Sequence, residues 1–181
     1  MATSSSRTPS PGRSVLALAG FFVLCFGVAA IGAAMARHSI PTWYAGIAKP
    51  RFTPPSWTFA PVWVLLYVLM ALAGWLVWLI PRREGPRGSL QYLEDSRGSL
   101  RMDALAVFLI QLALSGLWTP MFFQYHRLLV AVVILLALWC SILAAILLFW
   151  RVRPLAGALL LPSLAWASFA TALNLVLLRL N

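Results

Sequence analysis

The sequence predicts an all-α integral membrane protein, a bundle of five transmembrane helices, and three observations carry that prediction. Composition is the first. Apolar residues make up 62% of the chain and charged residues 10%, with a mean hydropathy of +0.88, against about 45–50% and about 25% in an ordinary soluble domain. The second is a set of five stretches without a charged residue, 14–36, 52–80, 104–126, 128–150 and 154–178. Each holds the ~20 apolar residues needed to cross a ~30 Å hydrocarbon core. The third is charge placement. The 14 Lys and Arg residues are spread through tails and connections, while all four acids (Glu84, Glu94, Asp95 and Asp103) fall in one segment. Too few polar residues remain to coat a soluble helical core. The net charge of +10 therefore reads as a determinant of membrane orientation, and nothing supports a nucleic-acid partner.

Residues 1–14 are rich in Ser, Thr and Pro, carry Arg7 and Arg13, and are expected to be a disordered basic tail. Residues 15–181 form a single membrane domain, with helices expected at about 15–36, 59–80, 104–123, 128–150 and 155–178. The first run imitates a signal peptide, and Ala34-Met35-Ala36 supplies a small-x-small site. At about twenty apolar residues it exceeds an ordinary secretory h-region of roughly 7–15 residues, so it is read as a retained helix. The stretch 43–63, WYAGIAKPRFTPPSWTFAPVW, holds four prolines and three tryptophans and no acid. Pro54-Pro55 forces an extended path, and the aromatic content suits an ordered loop at a membrane interface. The second helix places Trp63, Tyr67, Met70, Gly74 and Trp78 on one face, and it stops at Pro81 and Arg82-Arg83.

The polar stretch 81–103 carries a duplicated RGSL and is expected to be a glycine-bearing loop. In the third helix Gln111, Ser115, Trp118 and Phe122 share a face, and an amide in hydrocarbon should turn to the bundle interior. Pro120 should kink or fray the end of that helix. Only 124–127 separates the third and fourth helices, which makes them antiparallel neighbours. The fourth, uniform in Leu, Ile and Val, is expected to face lipid on most sides. The fifth aligns Pro162, Trp166, Ala170 and Asn174 at four-residue spacing.

Counting Lys and Arg puts nine on the side of the N-terminal tail and five (Arg37, Lys49, Arg51, Arg127 and Arg179) on the side of the first loop. In a bacterial cell membrane this favours an inside N-terminus; an outer or organellar membrane is the alternative. No charged side chain lies within the spans away from their ends, which excludes a carboxylate proton relay and disfavours ion-coupled transport. His38 and His126 form no metal cluster and read as interfacial residues. Cys25 and Cys140 lack metal-ligand spacing, so no metal site is expected. Trp63, Tyr67, Trp118 and Trp166 do converge, joined by Gln111, Ser115 and Asn174 beneath a loop bearing Trp43, Tyr44 and Trp57. Two readings fit: an apolar site with a few polar anchors for a flat hydrophobic ligand, or rings that only pack helices and anchor the interface.

An ordered set of motifs resembles the signature of the TspO/MBR family of translocator and tryptophan-rich sensory proteins, also known as peripheral-type benzodiazepine receptors. It comprises Trp43-Tyr44, Lys49-Pro50, Pro54-Pro55 and Pro61-Val62-Trp63. It continues through Leu66-Tyr67-x-Leu69-Met70, Gln111-Leu112-x-Leu114, Trp118 and Phe122-Phe123 to Pro162, Trp166 and Phe169 through Asn174. The resemblance runs from about Phe21 to the C-terminus. It implies a five-helix bundle, usually a homodimer, that acts as a receptor or carrier for tetrapyrroles such as porphyrin or a haem-related molecule, with a regulatory or transport role and the first loop as lid. Matching pocket positions are Tyr44, Pro54, Trp63, Gln111, Ser115, Trp118, Trp166 and Ala170. No cofactor is required; porphyrin or haem is the implied ligand. Light-dependent porphyrin breakdown is an alternative and would engage Trp118 and Trp166; a ligand-independent scaffold is another. Three departures stand out. Ser115 occupies a usual Asn position, Ser163 a usual Tyr position, and the residues after Asn174 lack the Tyr of the animal cholesterol-recognition element, which makes sterol binding doubtful. Leu90-Gln91-Tyr92 with Arg97 fits that element only formally.

Overall fold

A computed structural model describes residues 10–80 and 89–181, with the backbone alone for 89–98. Residues 1–9 of the expected tail 1–14, the connection 81–88 and the formal sterol element at 90–97 lie outside what is described in full. Five helical segments are long and apolar enough to cross a membrane, and an apolar belt of Val23, Leu24, Val64, Leu65, Leu109, Ile110, Val133 and Leu136 faces outward. This is a multi-pass integral membrane protein, since such a belt in water would aggregate.

Helix α1, Pro11–Ala36, begins four residues earlier than expected, with Pro11 in the first turn, where a missing amide breaks no intrahelical bond. Helix α2 spans Phe59–Trp78, with Pro61 likewise in its opening turn. Gly74 allows α1 to close on α2. A Cβ there would come within 2.6 Å of the Phe21 ring, which itself meets Phe108 edge-on at 5.8 Å.

The expected loop 81–103 requires correction. From Ser89 the chain is already helical, and α3 runs Ser89–Thr119. The one glycine in its polar first part, Gly98, costs about 1 kcal/mol against Ala, too little to stop a stretch that also holds Leu, Gln, Glu, Arg and Met. At ~1.5 Å per residue its 31 residues outrun the hydrocarbon, and the membrane-spanning part is Ser99–Gln124. Pro120 does not fray the end. A π-helical turn, Pro120–Gln124, continues the axis, closed by Tyr125 N–H donating to Pro120 O at 2.9 Å. Ile40–Tyr44 repeats the device after α1, where Tyr44 N–H donates to Ser39 O at 2.8 Å. In both, a proline without an amide sits at the start of the widened turn.

Helix α4, Leu128–Val152, was expected to face lipid on most sides; instead it buries nine residues, from Ala131 to Phe149, and a larger share of its span than any other. It packs against α3 and against the last span. That span is two helices, α5 (Pro154–Ala158) and α6 (Leu161–Leu180). Pro162 has no amide to bond the carbonyl one turn back, so the axis breaks at Leu159-Leu160. The α4–α5 corner is tight: a Cβ on Gly157 would meet Trp150 Cε3 at 2.8 Å and the Trp150 backbone nitrogen at 3.1 Å.

Candidate functional site

The three central helices each contribute one aromatic ladder. Trp63 and Tyr67, one turn apart on α2, stack at 5.6 Å; Trp63 stacks on Trp118 of α3 at 6.1 Å; and Trp118 stacks on Phe122 at 5.4 Å. Across from them Trp166 of α6 meets Phe59 edge-on at 5.8 Å and Phe169 at 5.4 Å. Such pairs contribute roughly 0.5–1.5 kcal/mol each beyond burial. The rings nevertheless do not close on one another. They surround a cavity of about 390 Å³, within the range of about 300–1,000 Å³ typical of small-molecule sites. The remaining wall comes from α1, through Phe26, Ala29, Gly32 and Ala33, where small side chains leave room. From the connection after α1, Arg37, Ile40, Tyr44 and Ser56 complete the lining.

Of the residues singled out in the sequence, Tyr44, Trp63, Tyr67, Trp118, Trp166, Ala170 and Asn174 line this cavity. Ser115 does not. Its hydroxyl pairs with Tyr67 Oη at 3.1 Å and lies beside a second, small void of about 30 Å³ that also touches Ser163. Trp63, Trp118, Trp166 and Ala170 border both spaces. Gln111 is fully buried, borders neither space, and has no hydrogen-bond partner on either amide atom. Pro54 is half-buried and lies outside the lining, and Trp57, 73% exposed, points away from it. Trp43 serves as a strut: it stacks on His126 at 4.2 Å and meets Phe122 edge-on at 5.5 Å. His126 holds a left-handed φ of 52° in the turn between α3 and α4, so this contact ties the first loop to that turn.

Several buried polar atoms of the lining have no partner: the Tyr44 hydroxyl, the Trp118 indole N–H and Asn174 Oδ1. Burial raises the pKa of Tyr44 above its usual value, so this phenol stays a neutral O–H donor. Lys49 braces the same turn, its Nζ donating to Ala45 O at 3.0 Å and Ile47 O at 3.3 Å and lying 4.9 Å from the Tyr44 ring centroid. The loop is further fixed from the far end of the chain. Ala48 N–H donates to Asn181 Oδ1 at 3.0 Å, and Asn181 Nδ2 donates to Ala48 O at 3.1 Å.

Sequence reasoning missed the α1 wall, because small residues such as Gly32 and Ala33 carry no sign of a pocket, and it missed Arg37 as a lining residue. The lining is an aromatic slot with isolated hydrogen-bonding atoms, carries no carboxylate, and is suited to holding a flat apolar molecule.

Residues 21–180 match the TspO/MBR family. The chain is 36% identical to Protein CrtK of Rhodobacter capsulatus over 168 residues, covering 93% of this chain and 94% of that protein. It is 34% identical to a tryptophan-rich sensory protein of Cereibacter sphaeroides over 161 residues, 89% of each. With the human translocator protein it shares 35% identity over 142 residues, 77% of this chain and 75% of the relative.

Proposed function

The chain belongs to the TspO/MBR family, and from that premise we propose that it is a membrane receptor or carrier that binds a tetrapyrrole in the aromatic cavity, with the first loop as its lid. The observation that carries the reading is the cavity itself. Ten aromatic side chains, from four helices and the turns that follow α1 and α3, border about 390 Å³ of space instead of packing it shut. A bundle that used those rings only as packing would leave one side of each without partner atoms for nothing. The lid reading is supported by Ile40, Tyr44 and Ser56 in the lining and by the tie from Ala48 to Asn181.

Quenching of intrinsic tryptophan fluorescence by a panel of porphyrins, haem and sterols in detergent tests the reading. Saturable quenching by a porphyrin is expected. Filling the cavity through Ala170→Phe should weaken it by tenfold or more while the protein still melts cooperatively. Equal quenching in the filled variant would place the ligand elsewhere and end this proposal.

A further inference from the structure

Arg37 is the one charged residue in the cavity lining. It stands at the C-cap of α1 and is exposed. A cation there complements the carbonyl end of the helix, and an interfacial anchor would do the same. Neither role needs a place on the cavity wall beside Ala33, Ala36, Ile40 and Tyr44. Its hydrogen bonding also leaves it available. Nε donates to His38 Nε2 at 3.1 Å, and among the described residues no carboxylate faces the rest of the guanidinium fork.

The distribution of charge over the whole molecule points the same way. Arg37, Lys49, Arg51, Arg127 and Arg179 all lie at the end of the bundle where the first loop sits, and among the described residues that end has no acidic side chain. The four acids fall between positions 84 and 103 of the sequence, and Asp103, the one whose side chain is described, sits toward the opposite end, in the first part of the α3 span. Lys49 is committed to two carbonyls and a ring, while Arg37 keeps free donors. An uncompensated positive face around a low-dielectric slot concentrates anions at its mouth. A guanidinium on the slot's wall offers them a bidentate partner.

We propose that Arg37 is the carboxylate-recognising residue of this site, so that the preferred ligands are flat apolar bodies bearing a carboxylate at one edge. The inference rests on the cavity reading above and names the chemical class within it. The apolar body lies among the tryptophans, and the carboxylate remains at the loop end, where its hydration is only partly lost.

The test compares acids with their own esters. Protoporphyrin IX and its dimethyl ester form one pair; pyrenebutyric acid and its methyl ester form a second, tetrapyrrole-free pair. Each is titrated by fluorescence into the full-length protein in a non-ionic detergent. The acid of a pair should bind about tenfold more tightly than the ester, and the preference should shrink as salt is raised. Arg37→Gln should abolish the preference, leaving ester binding within about twofold and the melting temperature unchanged. Arg37→Lys should restore part of it. Arg51→Gln removes the same charge from the same face but from a residue outside the lining, and should leave the preference intact.

Loss of preference in Arg51→Gln equal to that in Arg37→Gln would make the effect one of overall field and overturn the assignment. Acid and ester binding alike in both pairs would also overturn it. If only the pyrene pair binds and shows the Arg37-dependent preference, the tetrapyrrole reading falls and the Arg37 assignment stands. Absence of binding by all four compounds overturns both.

Discussion

Gln111 illustrates how far a polar residue in an apolar helix is readable. Its spacing with Ser115, Trp118 and Phe122 correctly turned it inward, since hydrocarbon offers an amide no partner. It could not reveal that the residue sits below the cavity, with both amide atoms unpartnered. A buried amide in that state costs more than an apolar side chain of similar size. Gln111→Leu should therefore raise stability by about 1–2 kcal/mol and leave porphyrin affinity within about twofold, which thermal denaturation and fluorescence titration would show; a loss of affinity without gain in stability would return Gln111 to the site. Ser163 makes the complementary case. Its Oγ is buried without a partner beside the small void, and the void has about the volume of one water molecule. Ser163→Ala should be neutral or stabilising by up to about 1 kcal/mol if the void is dry, as pairs of melting curves in the apo protein would report. Residue type and period announced both inward faces. Which of several inward residues reaches open space depends on the depth of each along its helix and on how far neighbouring helices splay, and neither is encoded in periodicity.

Helices with a mixture of residue types were legible; uniform ones were not. Trp63, Tyr67, Met70 and Gly74 stand out against their neighbours and mark the inner face of α2, three of them buried outright. In α4 the lipid-facing Val133 and Leu136 and the buried Ile134 and Leu135 are chemically alike, because lipid tails and protein interior are equally apolar. Sequence therefore gives no sign that α4 is the spine of the bundle. The helical extension of α3 back to Ser89 was missed for the reverse reason: polar residues outside the bilayer form helices as readily as loops, and glycine and charge drew attention from propensity. The corner between α4 and α5 yields a sharper expectation. Gly157 has backbone on one side and the Trp150 ring on another, at distances a Cβ does not tolerate. Gly157→Ala should destabilise the protein by about 1–3 kcal/mol, and Gly116→Ala, whose nearest neighbour is a Val28 methyl at 3.1 Å, by less. Comparing their melting temperatures in one detergent would check the ranking; parity would mean the corner relaxes freely.

The molecule taken whole is unevenly charged: all four acids fall in the sequence between 84 and 103, while Arg37, Lys49, Arg51, Arg127 and Arg179 lie at the first-loop end, with Arg37 on the cavity wall. Five spans place the two termini on opposite sides, and the Lys/Arg excess predicts the N-terminus inside. Reporters fused to each end would verify this in the native membrane; reporters on one side would contradict the five-span arrangement. The lid reading adds a kinetic expectation. Asn181→Ala removes both bonds to Ala48 and should speed porphyrin dissociation several-fold in stopped-flow displacement, with a smaller effect on association. Unaltered dissociation would mean the loop is held elsewhere. The same pair of bonds also imposes an order on biogenesis. Ala48 and Asn181 are 133 positions apart, and translation at ~5–20 residues per second separates their emergence from the ribosome by about 7–27 s. Throughout that interval the first loop lacks its fastening, and its tryptophans and prolines wait beside an unfinished bundle. A nascent chain of this protein is thus open to the bilayer until its last helix is inserted, and a ligand or a membrane chaperone that engages the slot has that window in which to do so.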